Sequence, residues 1–533
     1  MTVELSRGVD SIVINILWRK FMKKIHTALL VFLLCVVAFE AVYIVRQSAG
    51  KPGKTAFPLA FPNLFGSVSS LSDGVEIREE EEKEEEQDVP VYEDTVKVLL
   101  LNPEGGPLHN NPSFSCEEEF TVTADTGESM TYPGGTVLEE TSFWENGAGL
   151  VTIASVSGRG LKVCDNGVWS LEYEGVFHVR KQEAGSAIVN QVGIEEYIYG
   201  VLPSEMPDSY EYEAFKAQAV CARSYVYAKM QMTAYPEYDA QIDDTVMFQV
   251  YNKQKISETA RQAVDETRGM VLVKDGVVAE PFYFSTSWGH TSDVGVWNLN
   301  QEDYTYLQPI WVALGGENRD FSKEEDFAQA VMGSEEEALE KECRYYRWQA
   351  EFSMNKNTEK VVEILKQRAS MLPGTVRFLD KMNEEELDTT PDFGKIVAVS
   401  ITKRSYAGAA QVVEIVFEHC KVTVQNEYTI RSLFGAMTTN ITCQDGFVQE
   451  EAALLPSSYF VIASQSEESN GTVYGGGLGH GVGMSQNGAN LLALNQYGYA
   501  DILRFFYQDI EVMPLEELTG QLKENTQNEG SSH

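Results

Sequence analysis

Residues 195–227 read EEYIYGVLPSEMPDSYEYEAFKAQAVCARSYVY. One carboxylate, Glu205, stands between Pro203 and Pro207. Proline fixes its own φ and pushes the preceding residue toward extended conformations, so the spacing predicts a stiff turn that holds the Glu205 side chain. A helix is predicted directly after it. Asp208 with Glu211 three residues on has capping-box spacing, and Ala214, Ala217, Cys221 and Tyr225 form an apolar stripe at helical period. Lys216 and Arg223 lie seven residues apart, nearly in line on one helix face. A lone acid beside two cations and an amide, Gln218, fits acid catalysis. On spacing alone, a loop followed by a solvated helix face explains the same residues.

Outward from this stretch the pattern is α+β. Val96–Leu101 reads as a strand, and short β-like runs with turn signals fill 117–194. A second helix is predicted over 256–268, stopped by Gly269, with strands at 270–274 and 278–284 after it. Strands return at 396–403, 411–417 and 420–424. Between them, 322–388 is rich in Glu, Lys, Leu and Ala and reads mostly helical. The expected architecture is a β-rich core with a helix at the catalytic site, a mostly helical insertion over 301–394, and core segments at 95–300 and 395–515. A disordered tail is expected over 516–533.

Of the 533 residues 43% are hydrophobic, enough for more than one core. The formal net charge of −39 argues against nucleic acid as a partner, because binding phosphates takes Lys and Arg. Residues 76–94, EIREEEEKEEEQDVPVYED, repel one another, and 46–94 reads as an acidic disordered stalk. Residues 25–45, IHTALLVFLLCVVAFEAVYIV, are long enough to cross a bilayer as a helix. Arg19, Lys20, Lys23 and Lys24 precede them, which predicts a cytoplasmic N-terminus over 1–24 and an outer catalytic region. Without a clean Ala-x-Ala site an uncleaved single-pass anchor in the cell membrane is expected. Met22 is an alternative start to Met1. The seven cysteines show no C-x-x-C pair and no zinc-ribbon pattern, and Cys221 reads as a buried thiol.

Three further blocks change the weight of the Glu205 reading: DDTVMFQVY at 243–251, YFSTSWGHTSDVGVW at 283–297 and GGGLGHGVGMSQNGA at 475–489. With the Glu-Met-Pro turn and its AFKAQAV-ARSY helix, they resemble, in order, the stage II sporulation protein D family, which includes the LytB amidase enhancers. The resemblance covers roughly 96–300 and 395–512. It implies a lytic transglycosylase of peptidoglycan active in engulfment during sporulation. Such an enzyme protonates the oxygen between MurNAc and GlcNAc and closes the MurNAc 6-hydroxyl on C1, giving a 1,6-anhydro end. Glu205 is the matching general acid and base. Lys216, Gln218, Arg223, Gln249, His290, Thr291, His480 and Gln486 are the candidate substrate-binding residues, with Arg223 suited to a lactyl carboxylate. The implied partners are glycan strands, the membrane, and stage II sporulation proteins P and M.

Glycoside hydrolysis by water usually takes two carboxylates. Asp243 and Asp244 are the nearest second candidates, although turn capping explains them as well. Some members of the family hold zinc with a Cys at the position of Ser287; replacing a thiolate by a hydroxyl makes zinc doubtful here, and no cofactor is expected. Trp288 either stacks on a sugar ring or fills the core. The glycines around His480 permit close backbone approach to a ligand; a phosphate loop is disfavoured because no Gly-Lys-Ser/Thr follows. The rival functional reading is a non-catalytic wall-binding protein that enhances an amidase. A structural stalk protein is a third.

Overall fold

The computed structural model describes residues 90–144, 147–315, 317–333, 337–450, 452–463 and 470–529. They form two compact units: 97–192 with 232–244, and 90–96 with 193–231 and the described residues from 245 onward.

The first unit is almost wholly β. A seven-stranded sheet runs in the order 242–243, 95–100, 185–193, 176–182, 150–155, 120–124, 129–132. Alternation sets its inner face: Phe120, Val122, Ile153, Phe177 and Val179 are buried, with polar residues between them. A four-stranded sheet, 137–139, 113–116, 161–165 and 168–169, contributes Phe114, whose ring lies 6.1 Å from that of Phe177. The expected strands at 96–101 and within 117–194 are present. Asp243 and Asp244 serve this unit: Asp243 accepts from the Tyr235 hydroxyl at 2.5 Å and Asp244 from Leu101 N at 3.0 Å.

The second unit mixes helices and sheets. The described residues contain nine α-helices: α1 (Ile194–Glu205), α2 (Tyr212–Lys229), α3 (Glu258–Glu266), α4 (Glu324–Met332), α5 (Thr358–Met371), α6 (Glu427–Met437), α7 (Gln486–Leu494), α8 (Tyr499–Phe506) and α9 (Leu515–Glu529). Two sheets, 448–449/438–443/348–353/470–475/460–462 and 376–380/420–425/410–417/396–404, share one apolar core with α5 and α6. Its rings include Trp348, Phe352, Phe434 and Phe460. A short parallel pair joins Tyr283 to Met484 and Phe284 to Ser485.

Several expectations need correction. Glu205 ends a helix rather than sitting in a free turn: α1 runs through Pro203, which loses only one backbone bond in the final turn. The capping box at Asp208 does not form; α2 starts after Glu211 with no side-chain cap, and the Glu211 N–H donates to Asn490 Oδ1 at 2.7 Å. The stretch 301–394 is not a separate helical insertion. Trp348–Ser353 and Val376–Asp380 are strands built into sheets whose other strands lie after 394. Residues 515–529 are helical rather than disordered, with Leu518 buried. The expected single-pass anchor is not found among the described residues. Among the described residues no helix is long and apolar enough to cross a membrane. The run 25–45 and the acidic residues before 90, on which it rested, lie outside the described residues.

Arg223 also has a different role from the expected one. It is fully buried, forks onto Glu195 with Nε–Oε1 at 2.9 Å and Nη2–Oε2 at 2.7 Å, and donates to Met270 O at 3.1 Å. A guanidinium sealed in this way cannot hold a substrate carboxylate; it joins α1, α2 and the strand 270–274. Arg223→Met should lower stability by about 3 kcal/mol, because the buried Glu195 carboxylate loses its counter-charge. Urea denaturation checks this, and an unchanged midpoint would refute the structural role.

Candidate active site

The site starts at the C-terminus of α1. Met206 leaves the helix in extended conformation (φ −125°, ψ 137°), as a residue before proline must. Ser204 pins the end of the helix: its hydroxyl donates to Gly200 O at 3.1 Å and accepts from Lys253 N at 3.3 Å. Gly200 is required here, since a Cβ would meet the Tyr251 ring at 2.4 Å. The 207–211 connection is tied to α7 as Tyr210 Oη donates to Asn487 Oδ1 at 2.7 Å. Glu205 is thereby fixed from both sides.

Glu205 keeps part of its surface open, yet protein rings its carboxyl closely. Burial pushes its pKa up from 4.5 to about 7, partly offset by the Val250 N–H, Gln486 and Tyr283, which favour the anion. Val250 N donates to Oε1 at 3.3 Å. Gln486 Nε2 lies beside the carboxyl, close enough to favour the anion though outside ordinary hydrogen-bond geometry. Tyr283 Oη accepts from Gln249 Nε2 at 3.1 Å, leaving Gln249 Oε1 unpartnered. Both polar atoms of the buried Gln218 are also unpartnered. An acid with a pKa near neutrality, beside the amides of Gln249 and Gln486, can give a proton to a polyhydroxylated ligand and hold it; among the described residues, nothing ties Gln218 to this group.

The two later blocks are brought to Glu205 by the parallel pair. Tyr283 and Gln486 flank it directly. Glycines make the approach possible: Gly477, Gly479, Gly481 and Gly483 all have positive φ, and a Cβ on Gly483 would lie 2.0 Å from Phe282 O. The approach is thus to the chain's own backbone rather than to a ligand. His480 orients this loop, with Nε2 donating to Tyr283 O at 2.9 Å and Nδ1 accepting from Val482 N at 3.1 Å. Burial holds it neutral, with a pKa pushed down to about 3.

Other candidates lie outside this group. Lys216 is ion-paired to Glu213 (3.0 Å) and Glu266 (2.9 Å), so α2 turns this cation to its own neighbours. His290 gives its Nδ1 proton to Thr291 O at 2.7 Å and packs among Trp311, Phe321 and Tyr406. Thr291 Oγ1 accepts from Ile310 N at 2.9 Å. Trp288 fills the core: it is fully buried against Phe321 and Phe327, and its Nε1 donates to Ala407 O at 3.1 Å. The thiol of Cys221 is buried as expected, 3.4 Å from Tyr507 Oη, and the six cysteines of the described residues are free.

The donor set does not fit zinc. Ser287 gives its hydroxyl to Glu340, His480 spends both ring nitrogens on the backbone, and His290 faces aromatic rings. Among the described residues no three His, Cys, Asp or Glu side chains converge. Sequence reasoning missed Tyr283, a large polar ring in an apolar strand, and Glu340, which no motif marks. Glu340 is fully buried, and burial pushes its pKa up to about 7.

Residues 182–273 match the family described as stage II sporulation protein (SpoIID). The chain is 26% identical over 314 residues to the amidase enhancer of Bacillus subtilis (strain 168), covering 58% of this chain and 39% of that protein. It is 36% identical over 119 residues to stage II sporulation protein D of Bacillus amyloliquefaciens, covering 20% of this chain and 35% of that protein. To the same protein of B. subtilis it is 35% identical over 121 residues, again 20% and 35%. The chain therefore spans between a third and two fifths of these relatives.

The raised pKa of Glu205 has a sign for stability. Below about 4.5 both the folded and the unfolded chain hold the proton. As pH rises to about 7 the unfolded chain loses it first, so stability is lost across that window. Glu205→Gln removes the penalty. Its melting temperature should rise relative to the parent between pH 5 and pH 8. A difference that stays flat across that range would mean Glu205 ionises like an exposed carboxylate.

Proposed function

We propose, for a chain that belongs to the stage II sporulation protein D family through residues 182–273, that it acts on bacterial cell-wall peptidoglycan in sporulation, cleaving glycan strands as a lytic transglycosylase. The observation that carries this reading is the carboxyl of Glu205, held at the mouth of α1 with a pKa near neutrality beside Tyr283, Gln249 and Gln486. A proton shared about equally between acid and anion at neutral pH suits a group that must both give and take one.

In the proposed reaction the protonated Glu205 gives its proton to the bridging oxygen as the glycosidic bond breaks. The anion then accepts the proton of the MurNAc 6-hydroxyl as that oxygen bonds to C1. The enzyme needs no second carboxylate and no water is consumed. Asp243 and Asp244 are engaged by Tyr235 and Leu101, which supports a single acid. Val250 N–H and Gln486 are suited to steady the anion between the two transfers. The amide of Gln249, next to Tyr283, supplies a donor and an acceptor for sugar hydroxyls and acetamido groups.

Two outcomes test this. Glu205→Gln keeps the shape and cannot give the proton, so cleavage should fall by at least ~10²-fold while glycan binding persists. Mass spectrometry of muropeptides should show 1,6-anhydro ends from the parent protein. Full activity in the variant would remove Glu205 from the chemistry, whereas no cleavage by the parent protein together with stimulation of an added amidase would support the enhancer reading that the B. subtilis relative's name suggests. Reducing ends would show hydrolysis. Activity should also decline as pH rises through about 7, because the acid form of Glu205 is lost.

A further inference from the structure

We propose that Glu340 is a positioning residue for Glu205: by clamping the first turn of α7 to the 285–288 segment, it sets where Gln486 stands against the Glu205 carboxyl. The proposal rests on the acid role of Glu205 given above.

Glu340 is fully buried, and its partners come from two distant parts of the chain. From one side Ser287 donates twice, through its N–H at 3.0 Å to Oε1 and through its hydroxyl to Oε2. From the other, Ser485 Oγ donates to Oε1 at 2.6 Å, and the Gly488 N–H also bonds the carboxyl. None of these donors is charged. Moving a carboxylate out of water costs several kcal/mol, and hydroxyls and amides offset that only in part. Burial accordingly raises its pKa. A carboxylate so placed constrains geometry more than it adds stability.

Its position favours that reading. Ser485 is both the residue paired with Phe284 and the N-cap of α7, where its Oγ accepts from Gly488 N at 3.2 Å. An anion here also meets the positive end of a nine-residue helix. Gln486, the next residue, is the first of α7 and lies beside Glu205. Tyr283, on the opposite strand of the same pair, lies on the other flank. One carboxylate thus fastens the two segments that frame the acid, one residue away from the contact itself. The backbone holds Glu340 in turn: Leu339 N donates to Val312 O and Val312 N to Gly289 O, both at 2.9 Å.

Glu340→Ala, Glu340→Gln and Ser485→Ala in the full chain test this by two independent readouts. The first is kcat and KM on glycan strands. Glu340→Ala should lower kcat about tenfold to a hundredfold with KM nearly unchanged, since misplacement rather than lost binding is the defect. Glu340→Gln, which keeps the shape and one acceptor, should recover most of it. The second readout needs no activity. The pH midpoint of the melting-temperature difference between each background and its Glu205→Gln derivative reports the ionisation of Glu205. It should move upward in Glu340→Ala and in Ser485→Ala, because Gln486 then steadies the anion less. The proposal is overturned if the midpoint and kcat stay put while stability alone falls; Glu340 is then only a structural clasp. If the parent protein cleaves no glycan, the transglycosylase reading fails, and the midpoint still judges Glu340. Should Glu340→Ala not fold, Glu340→Gln and Ser485→Ala carry the same comparison.

Discussion

Two residues on each side of a parallel strand pair hold the second unit's site together. Tyr283–Phe284 pairs with Met484–Ser485, each residue 201 positions from its partner (484 − 283). The flanking backbone extends the join: Thr286 and Leu478 exchange both hydrogen bonds, Ser292 N donates to Gly481 O and Asn487 N to Ser285 O. Closing a loop of this length has an entropic cost that grows only slowly with length, so a few well-made bonds and the packing around them suffice. The glycine run makes the join sterically possible. Each left-handed position lets the 477–483 segment pass at a distance that a side chain would forbid. Without this pair α1 would still end in Glu205, but neither Tyr283 nor Gln486 would stand beside it.

Around that join the electrostatics are set by neutral groups. Two carboxyls, Glu205 and Glu340, are both raised toward neutrality by burial, and both are answered by amides and hydroxyls rather than by Lys or Arg. The cations that the helix α2 offers are spent elsewhere, Arg223 on Glu195, Lys216 on Glu213 and Glu266, and Lys229 on Glu280. This division is physically coherent. A guanidinium against Glu205 would hold its proton off at neutral pH and remove its capacity as an acid. The same cations placed one layer away fasten α1, α2 and α3 without touching that pKa.

Much of this was legible in the sequence, for identifiable reasons. The strands around 270–284, 396–404 and 410–425 follow from β-branched runs broken by turn residues, and the extended exit of the chain after Glu205 follows from Pro207. Helical spacing placed Lys216 and Arg223 on one face but could not say what faces them, because the partners Glu195 and Glu266 come from other elements. Pro203 predicts a turn, but proline in the last turn of a helix forfeits little, and α1 runs through it. Trp288 left a choice that only the surrounding Phe321, Phe327 and Tyr459 decide. Glu340 was invisible: a single acid in a Glu-rich stretch carries no periodicity, and its meaning depends on serines 53 and 145 positions away.

The distance between the two halves of the site also fixes when it can exist. A ribosome makes Glu205 first and Gln486 only 281 residues later, the difference of the two positions. At about 5–20 residues per second, that is an interval of roughly 15–60 s. Throughout it α1 and α2 can fold, and the acid is present, but the segment that frames it has not been synthesised. A nascent or prematurely terminated chain ending before 484 therefore carries the carboxylate without the site.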